Sequence, residues 1–162
     1  MLTEAEAWQV LRTVPDPEIP VISVCELGIV RAIRATDDAL TVVVTPTYSG
    51  CPATEVIAAS IRTALGEAGA ATVSVETQLS PAWTTDWIEA DAAARLRAYG
   101  IVPPNRTAET AVQTIRLVPR AIACPRCDSR KTTRLAAFGS TACKALWRCE
   151  DCMEPFEEFK PL

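Results

Sequence analysis

Apolar positions recur at helical spacing in two early stretches and alternate with polar ones in three others. Thr3-Glu4-Ala5-Glu6 has the form of a capping box, and Ala7, Trp8, Val10, Leu11 and Val14 supply the buried stripe of a short helix that Pro15 ends. Leu27 to Arg34 and Leu40 to Thr45 read as strands joined by the turn Thr36-Asp37-Asp38, a hairpin. Ala53 to Leu65 repeats at helical period, with Ile57, Ile61 and Leu65 on one face and Gly66 and Gly69 closing it. In Thr72 to Thr77, Val73 and Val75 point inward and Ser74 and Glu76 outward. Strand, helix, strand implies a right-handed crossover and a parallel neighbour. The order predicts an α+β fold: a two-layer α-β-β-α-β domain over residues 1–101, a linker over 102–120 and a small appendage over 121–162.

Beyond the third strand the pattern is less regular. Thr85 or Asp86 is placed to cap a helix running to about Tyr99, with Gly100 ending it. Trp83 and Trp87, four apart, either close over the core or form a lid or docking surface. Within the linker only Val112 to Val118 suggests a strand.

At 162 residues and 49% hydrophobic the chain can bury a core, and its formal charge of −4 argues against a general nucleic-acid or anionic-membrane binder. No apolar run approaches a membrane span and the first residues lack a basic-then-apolar leader, so a cytoplasmic protein is expected. Seven cysteines and no histidine change the picture more. The missing histidine removes Ser-His-Asp and Cys-His catalysis and the usual di-iron ligand motifs.

Four cysteines fall in two pairs, Cys124-Pro-Arg-Cys127 and Cys149-Glu-Asp-Cys152, separated by 21 residues. This layout suits a tetrahedral zinc ribbon better than an iron–sulfur cluster or disulfides, and a closed four-thiolate site is structural. A piece of about 40 residues needs such a staple to fold. Phe138, Leu146, Trp147, Phe156 and Phe159 are expected to pack around it. Cys143 is either buried filler or an exchangeable extra ligand. Cys25, in an apolar run, reads as buried and inert.

The remaining thiol, Cys51, lies in Thr45-Pro-Thr-Tyr-Ser-Gly-Cys-Pro52, where a strand hands over to a helix. Pro46 and Pro52 stiffen the stretch, and Gly50 permits a sharp turn. Pro52 suits the first helical position, placing Cys51 at the N-cap, where backbone N–H groups and the helix dipole would favour thiolate. The alternative is a small capping residue with no chemistry. Asp16-Pro-Glu-Ile-Pro20 is a stiff acidic loop whose carboxylates are either solvated or turned toward a cation or thiol.

The Asp16-Pro-Glu-Ile-Pro20, Leu27-Gly-Ile-Val30 and Thr45 to Pro52 elements resemble the iron–sulfur-assembly domain of SufT-like and MIP-type proteins. Pro81 to Trp87, the Cys124 knuckle, Phe138-Gly-Ser-Thr-Ala-Cys-Lys-Ala145 and Glu154-Pro-Phe156 narrow the resemblance to the PaaD family, encoded with the phenylacetyl-CoA epoxidase system. The resemblance implies an accessory protein, not an enzyme, that helps iron–sulfur cluster or iron insertion. It implies Cys51 as the residue handling iron or cluster, shaped by Asp16 and Glu18, with Thr45, Thr47, Ser49 and Gly50 supporting the pocket. Implied partners are the di-iron catalytic subunit, the iron–sulfur flavin reductase and the iron–sulfur assembly machinery. A second cysteine from another copy of the chain, in a homodimer, would complete the site. Against this stand a structural subunit of the oxygenase with Cys51 inert, a thiol oxidoreductase, and a nucleic-acid-binding ribbon using Arg126, Arg130, Lys131 and Arg134. Glu150, Asp151, Glu154, Glu157 and Glu158 oppose the last.

Overall fold

A computed structural model describes residues 2–36, 38–104 and 122–160. By its internal contacts the chain divides into two compact units, Met1–Ala92 and Ala93–Leu162.

The first unit has the expected element order: α1 (Glu4–Leu11), β1 (Val30–Ala35), β2 (Leu40–Val44), α2 (Thr54–Glu67) and β3 (Val73–Thr77). Thr3 caps α1 through its side chain while Glu6 reaches back to the Thr3 N–H at 2.8 Å, the reciprocal box its sequence encodes. The sheet order is β1-β2-β3, with β1 antiparallel and β3 parallel to β2. Leu40, Val42 and Val44 align across the sheet with Ala35, Ile33 and Val30 on one side and Val73, Val75 and Thr77 on the other. α2 packs on β3 and α1, and α1 on β1. Ile61, Leu65, Val42 and Val44 are fully enclosed, each burial contributing about 1.5–3 kcal/mol.

The helix expected from Thr85 or Asp86 to Tyr99 is broken. Thr84 Oγ1 accepts from the Asp86 N–H at 3.0 Å and caps a single 3₁₀ turn, Thr85–Trp87, before α3 (Ala90–Tyr99) begins. Trp83 is buried and donates through Nε1 to the Leu27 carbonyl at 3.0 Å. Trp87 is only half-buried, and its ring carries the Arg31 guanidinium 3.5 Å from the centroid.

In the second unit, β4 (Ile101–Val102), β5 (Thr132–Ala136), β6 (Lys144–Cys149) and β7 (Pro155–Phe159) form a sheet ordered β4-β7-β6-β5. Ile101 and Val102, which the sequence places at the end of the first domain and the start of the linker, pair in parallel with Glu157 and Glu158. Most of the expected linker, including the strand at 112–118, lies outside the described residues. No helix among the described residues is long and apolar enough to cross a membrane.

Candidate functional site

Cys51 lies in the loop after β2, but not at the helix cap. Ala53 is the N-cap of α2, and Cys51 sits two residues before it, its carbonyl accepting the Thr54 N–H at 3.2 Å and the Thr54 hydroxyl at 2.9 Å. Its thiol pKa is raised above the ordinary 9.0, contrary to the expected thiolate. Burial is the main cause. The Ala53 N–H and the Thr54 hydroxyl work the other way, and the negative charges of Glu18 and Asp16 add to the rise. Both carboxylates therefore lie near enough to act on the thiol's ionisation.

The acidic loop is built around Asp16, which is 4% exposed. Its Oδ1 accepts the N–H groups of Glu18 at 2.9 Å and Ile19 at 2.8 Å, and its own N–H donates to the Ile22 carbonyl at 2.9 Å. Asp16 is therefore not solvated, and one of its oxygens is committed to shaping the turn that presents half-buried Glu18. Of the residues expected to support the pocket, Thr45 and Thr47 are buried while Ser49 and Gly50 are exposed. The Thr45 hydroxyl is enclosed with no hydrogen-bond partner among the described residues. Gly50 does not have a left-handed backbone, and a Cβ there would meet only the Tyr48 ring, at 3.5 Å, so the turn does not require glycine. A cavity of about 210 Å³ opens at the other end of the sheet, beside Leu40 and Thr72, and holds none of the candidate residues.

One residue that sequence reasoning passed over is Gly28. It has φ +75°, and a Cβ on it would lie 2.6 Å from Trp87 Cβ and 2.8 Å from the Trp87 carbonyl oxygen. Local sequence carries no signal for it, because Gly28 lies inside Leu27-Gly-Ile-Val30 and the Trp87 it meets is far along the chain. Cys25 is buried, its thiol pushed up to about 12 mainly by desolvation, as an inert thiol should be.

The second unit gathers Cys124, Cys127, Cys149 and Cys152 so that their sulfurs lie within 4.8 Å of one another. Cys124–Cys152 and Cys127–Cys149 are 3.7 and 3.5 Å apart. A tetrahedral zinc with bonds of about 2.3 Å requires sulfurs about 3.8 Å apart, so the donor set fits. Each knuckle closes with a left-handed residue after its second cysteine, Asp128 at φ 60° and Met153 at φ 62°. The Arg126 N–H points at Cys124 Sγ at 3.4 Å, and the N–H groups of Cys152 and Asp151 hold the Cys149 thiol low, at about 7. Ser129 donates to Asp151 at 2.6 Å and Lys131 pairs with the same carboxylate at 3.2 Å, tying one knuckle to the other. Lys131 is thereby taken from the basic run.

Ile122, Ala145, Trp147 and Phe156 pack with Cys124 and Cys149. The expectation that Phe138 and Phe159 join them is corrected: Phe138 is 65% exposed on the β5–β6 loop, and Phe159 is buried outside that cluster. Leu146, half-buried, also lies outside it. Cys143 is not an extra ligand. It precedes the six-residue β6 while Cys149 ends it, a separation of about 20 Å for an extended strand. Its sulfur contacts Thr141 Oγ1 at 3.0 Å instead.

Residues 4–77 match the family "Iron-sulfur cluster assembly protein", and residues 108–160 match "PaaD zinc beta ribbon domain". The first unit has the fold of a domain of unknown function, DUF59, from Bacillus anthracis (23% identity, 57% of this chain and 90% of that one, TM-score 0.54). A conserved hypothetical protein of Thermotoga maritima is similar at 26% identity, 59% and 94% coverage and TM-score 0.51. An "Fe-S protein maturation auxiliary factor" of Porphyromonas gingivalis is 34% identical over 92 residues, 56% of this chain and 87% of that protein. A "Putative 1,2-phenylacetyl-CoA epoxidase" subunit of Escherichia coli (strain K12) is 49% identical over 155 residues, 96% of this chain and 91% of that protein. With its assembly-type first unit and its four-cysteine ribbon, the chain belongs to the PaaD family of phenylacetyl-CoA epoxidase subunits.

Proposed function

We propose that this protein is a non-catalytic maturation factor of the phenylacetyl-CoA epoxidase system. It assists iron or iron–sulfur cluster insertion through Cys51, and its ribbon docks the client. The observation that carries the reading is a half-buried thiol, on the loop after β2, whose ionisation is influenced by two carboxylates, Asp16 and Glu18, from the loop after α1 of an assembly-type fold.

Partial burial, with a smaller contribution from two anionic neighbours, keeps Cys51 protonated while the site is empty of cargo, which protects it from oxidation. An arriving iron cation reverses that balance: the proton leaves to solvent, and the thiolate and the Glu18 carboxylate are both stabilised by the positive charge. Asp16, committed to two N–H groups, positions Glu18 instead of binding by both oxygens. The unpartnered Thr45 hydroxyl supports a site completed by cargo, since a buried polar atom left unpaired costs about 1–3 kcal/mol. One thiolate holds a cluster poorly, so a second copy of the chain supplies another Cys51. The four ribbon cysteines hold a structural zinc that folds the second unit. The clients are the di-iron catalytic subunit and the iron–sulfur flavin reductase, served together with the assembly machinery in the cytoplasm.

The test is Cys51→Ala, co-expressed with the epoxidase and reductase, followed by their iron and cluster content. Loss of loading is expected. Normal loading with full epoxidase activity defeats the reading.

A further inference from the structure

The β5–β6 loop of the second unit is held more firmly than its exposure requires. The Gly139 N–H donates to the Lys144 carbonyl at 2.7 Å, and the Ser140 N–H donates to Glu157 Oε1 at 2.6 Å. The other oxygen of Glu157 pairs with Lys144 Nζ at 3.0 Å, and Lys144 is 2% exposed. A Cβ on Gly139 would collide with Glu157 Oε1, so the loop is closed down on that carboxylate. From β7's end, the Lys160 N–H donates to the Cys143 carbonyl at 2.9 Å and Lys160 Nζ to the Ala137 carbonyl at 3.2 Å. A buried ion pair is weak evidence for stability, because desolvating both charges offsets most of their attraction. Its effect here is to fix the shape of a loop.

That loop displays an aromatic. Phe138 is the most exposed large hydrophobic side chain among the described residues. Lys160 Nζ stands 4.4 Å from its ring centroid. The neighbouring strand is bulged between Arg134 and Ala136, which leaves Leu135 out of the ladder and 49% exposed. Arg134 is exposed and makes no ion pair among the described residues. An exposed aromatic on a pinned loop with a cation beside it has the anatomy of an interface anchor, because a preordered loop loses little entropy on binding.

Resting on the maturation reading above, we propose that Phe138, with Leu135, is the anchor by which the ribbon docks its client, inserting into an apolar pocket rimmed by carboxylates. Charge selects that occupant. Lys160 would face a partner's acidic rim, whereas a second copy docking by the same patch would present the same cation to it. A single aromatic on a chain of net charge −4 is a poor membrane anchor.

The test uses the full-length zinc-loaded chain and, as probe, the purified catalytic and reductase subunits encoded with it. Phe138→Ala is expected to weaken binding at least about tenfold, with melting temperature and zinc content unchanged. Lys160→Ala is expected to weaken it a few-fold at low salt and hardly at high salt. Undiminished binding by Phe138→Ala, no binding by the wild type, or a homodimer that Phe138→Ala dissociates would each overturn the inference. Cys51→Ala separates it from the reading it rests on. Normal client loading by Cys51→Ala defeats the maturation reading and leaves the Phe138 binding result standing, while lost loading beside undiminished Phe138→Ala binding defeats the anchor alone.

Discussion

Gly28 and Trp87 are pressed together so closely that a single methyl group between them has no room: the Cβ of any other residue at 28 would sit 2.6 Å from Trp87 Cβ. The contact joins the loop before β1 to the 3₁₀ turn. Around it Trp83 bonds the Leu27 carbonyl, the Glu89 N–H donates to the Glu26 carbonyl at 2.9 Å, and Arg12 pairs with Glu89 at 2.9 Å.

Gly28→Ala should therefore be severely destabilising. A left-handed backbone at φ +75° costs an L-residue about 1–2 kcal/mol, and the overpacking about 1–3 more. A loss of about 3 kcal/mol is expected from urea unfolding of the first unit, with Trp83 and Trp87 fluorescence as the reporter. A change under 1 kcal/mol would mean that the turn moves away freely.

How far the sequence could be read depended on what each residue's neighbours are. The stripe Ile57, Ile61, Leu65 carries its own geometry, because period decides which side is buried, whereas the alternation read in Leu40 to Thr45 does not extend to burial: Val42, Val43, Val44 and Thr45 are all enclosed. The paired C-x-x-C spacing likewise specifies its own tetrahedron. Cys51 was harder. Pro52 suits a first helical position, but a turn closed by Cys51 N–H to the Tyr48 carbonyl precedes α2 and shifts the cap to Ala53. The direction of its pKa shift depends on Asp16 and Glu18, far away in the chain, and on burial, neither of which local sequence contains. Phe138 was misplaced for a similar reason: hydrophobicity favours burial, but a β-bulge and a pinned loop decide where that side chain points.

The ribbon should bind one zinc per chain whatever stands at position 143. Cys143→Ala is expected to retain full zinc by elemental analysis, since its sulfur lies a strand's length from the cluster, whereas Cys149→Ala should lose it. Chelating the metal should unfold the second unit, because structural zinc contributes on the order of 10 kcal/mol to such a piece. A shift of the Trp147 emission to the red would report it, as Trp147 packs with the ligand cysteines. Zinc lost from Cys143→Ala would put that thiol back in the site.

Asp16 offers a contrast between charge and shape. Asp16→Asn keeps an Oδ1 to accept the Glu18 and Ile19 N–H groups, while Asp16→Ala leaves both unpaired in a buried turn. The alanine variant should lose about 1–3 kcal/mol of stability and the asparagine variant much less. Equal losses by thermal unfolding would show that the carboxylate's charge, not its turn, is what the fold uses.

The same charge bears on Cys51. Because its pKa is raised above 9.0, the thiolate fraction at pH 7 is smaller than for a free cysteine, and alkylation by iodoacetamide should be slower. The rate should climb as pH rises past 9, since the folded pKa lies above the ordinary one and deprotonation is displaced upward. Replacing Glu18 by Gln removes a negative neighbour that disfavours thiolate, so the profile should move to lower pH and the rate at pH 8 should rise a few-fold. The measurement is peptide-mapped alkylation of the zinc-loaded protein, in which Cys25 and Cys143 are buried and the remaining four thiols are ligands. A profile unmoved by Glu18→Gln would mean that this carboxylate does not act on the thiol, and would remove the electrostatic basis for cargo-triggered proton release.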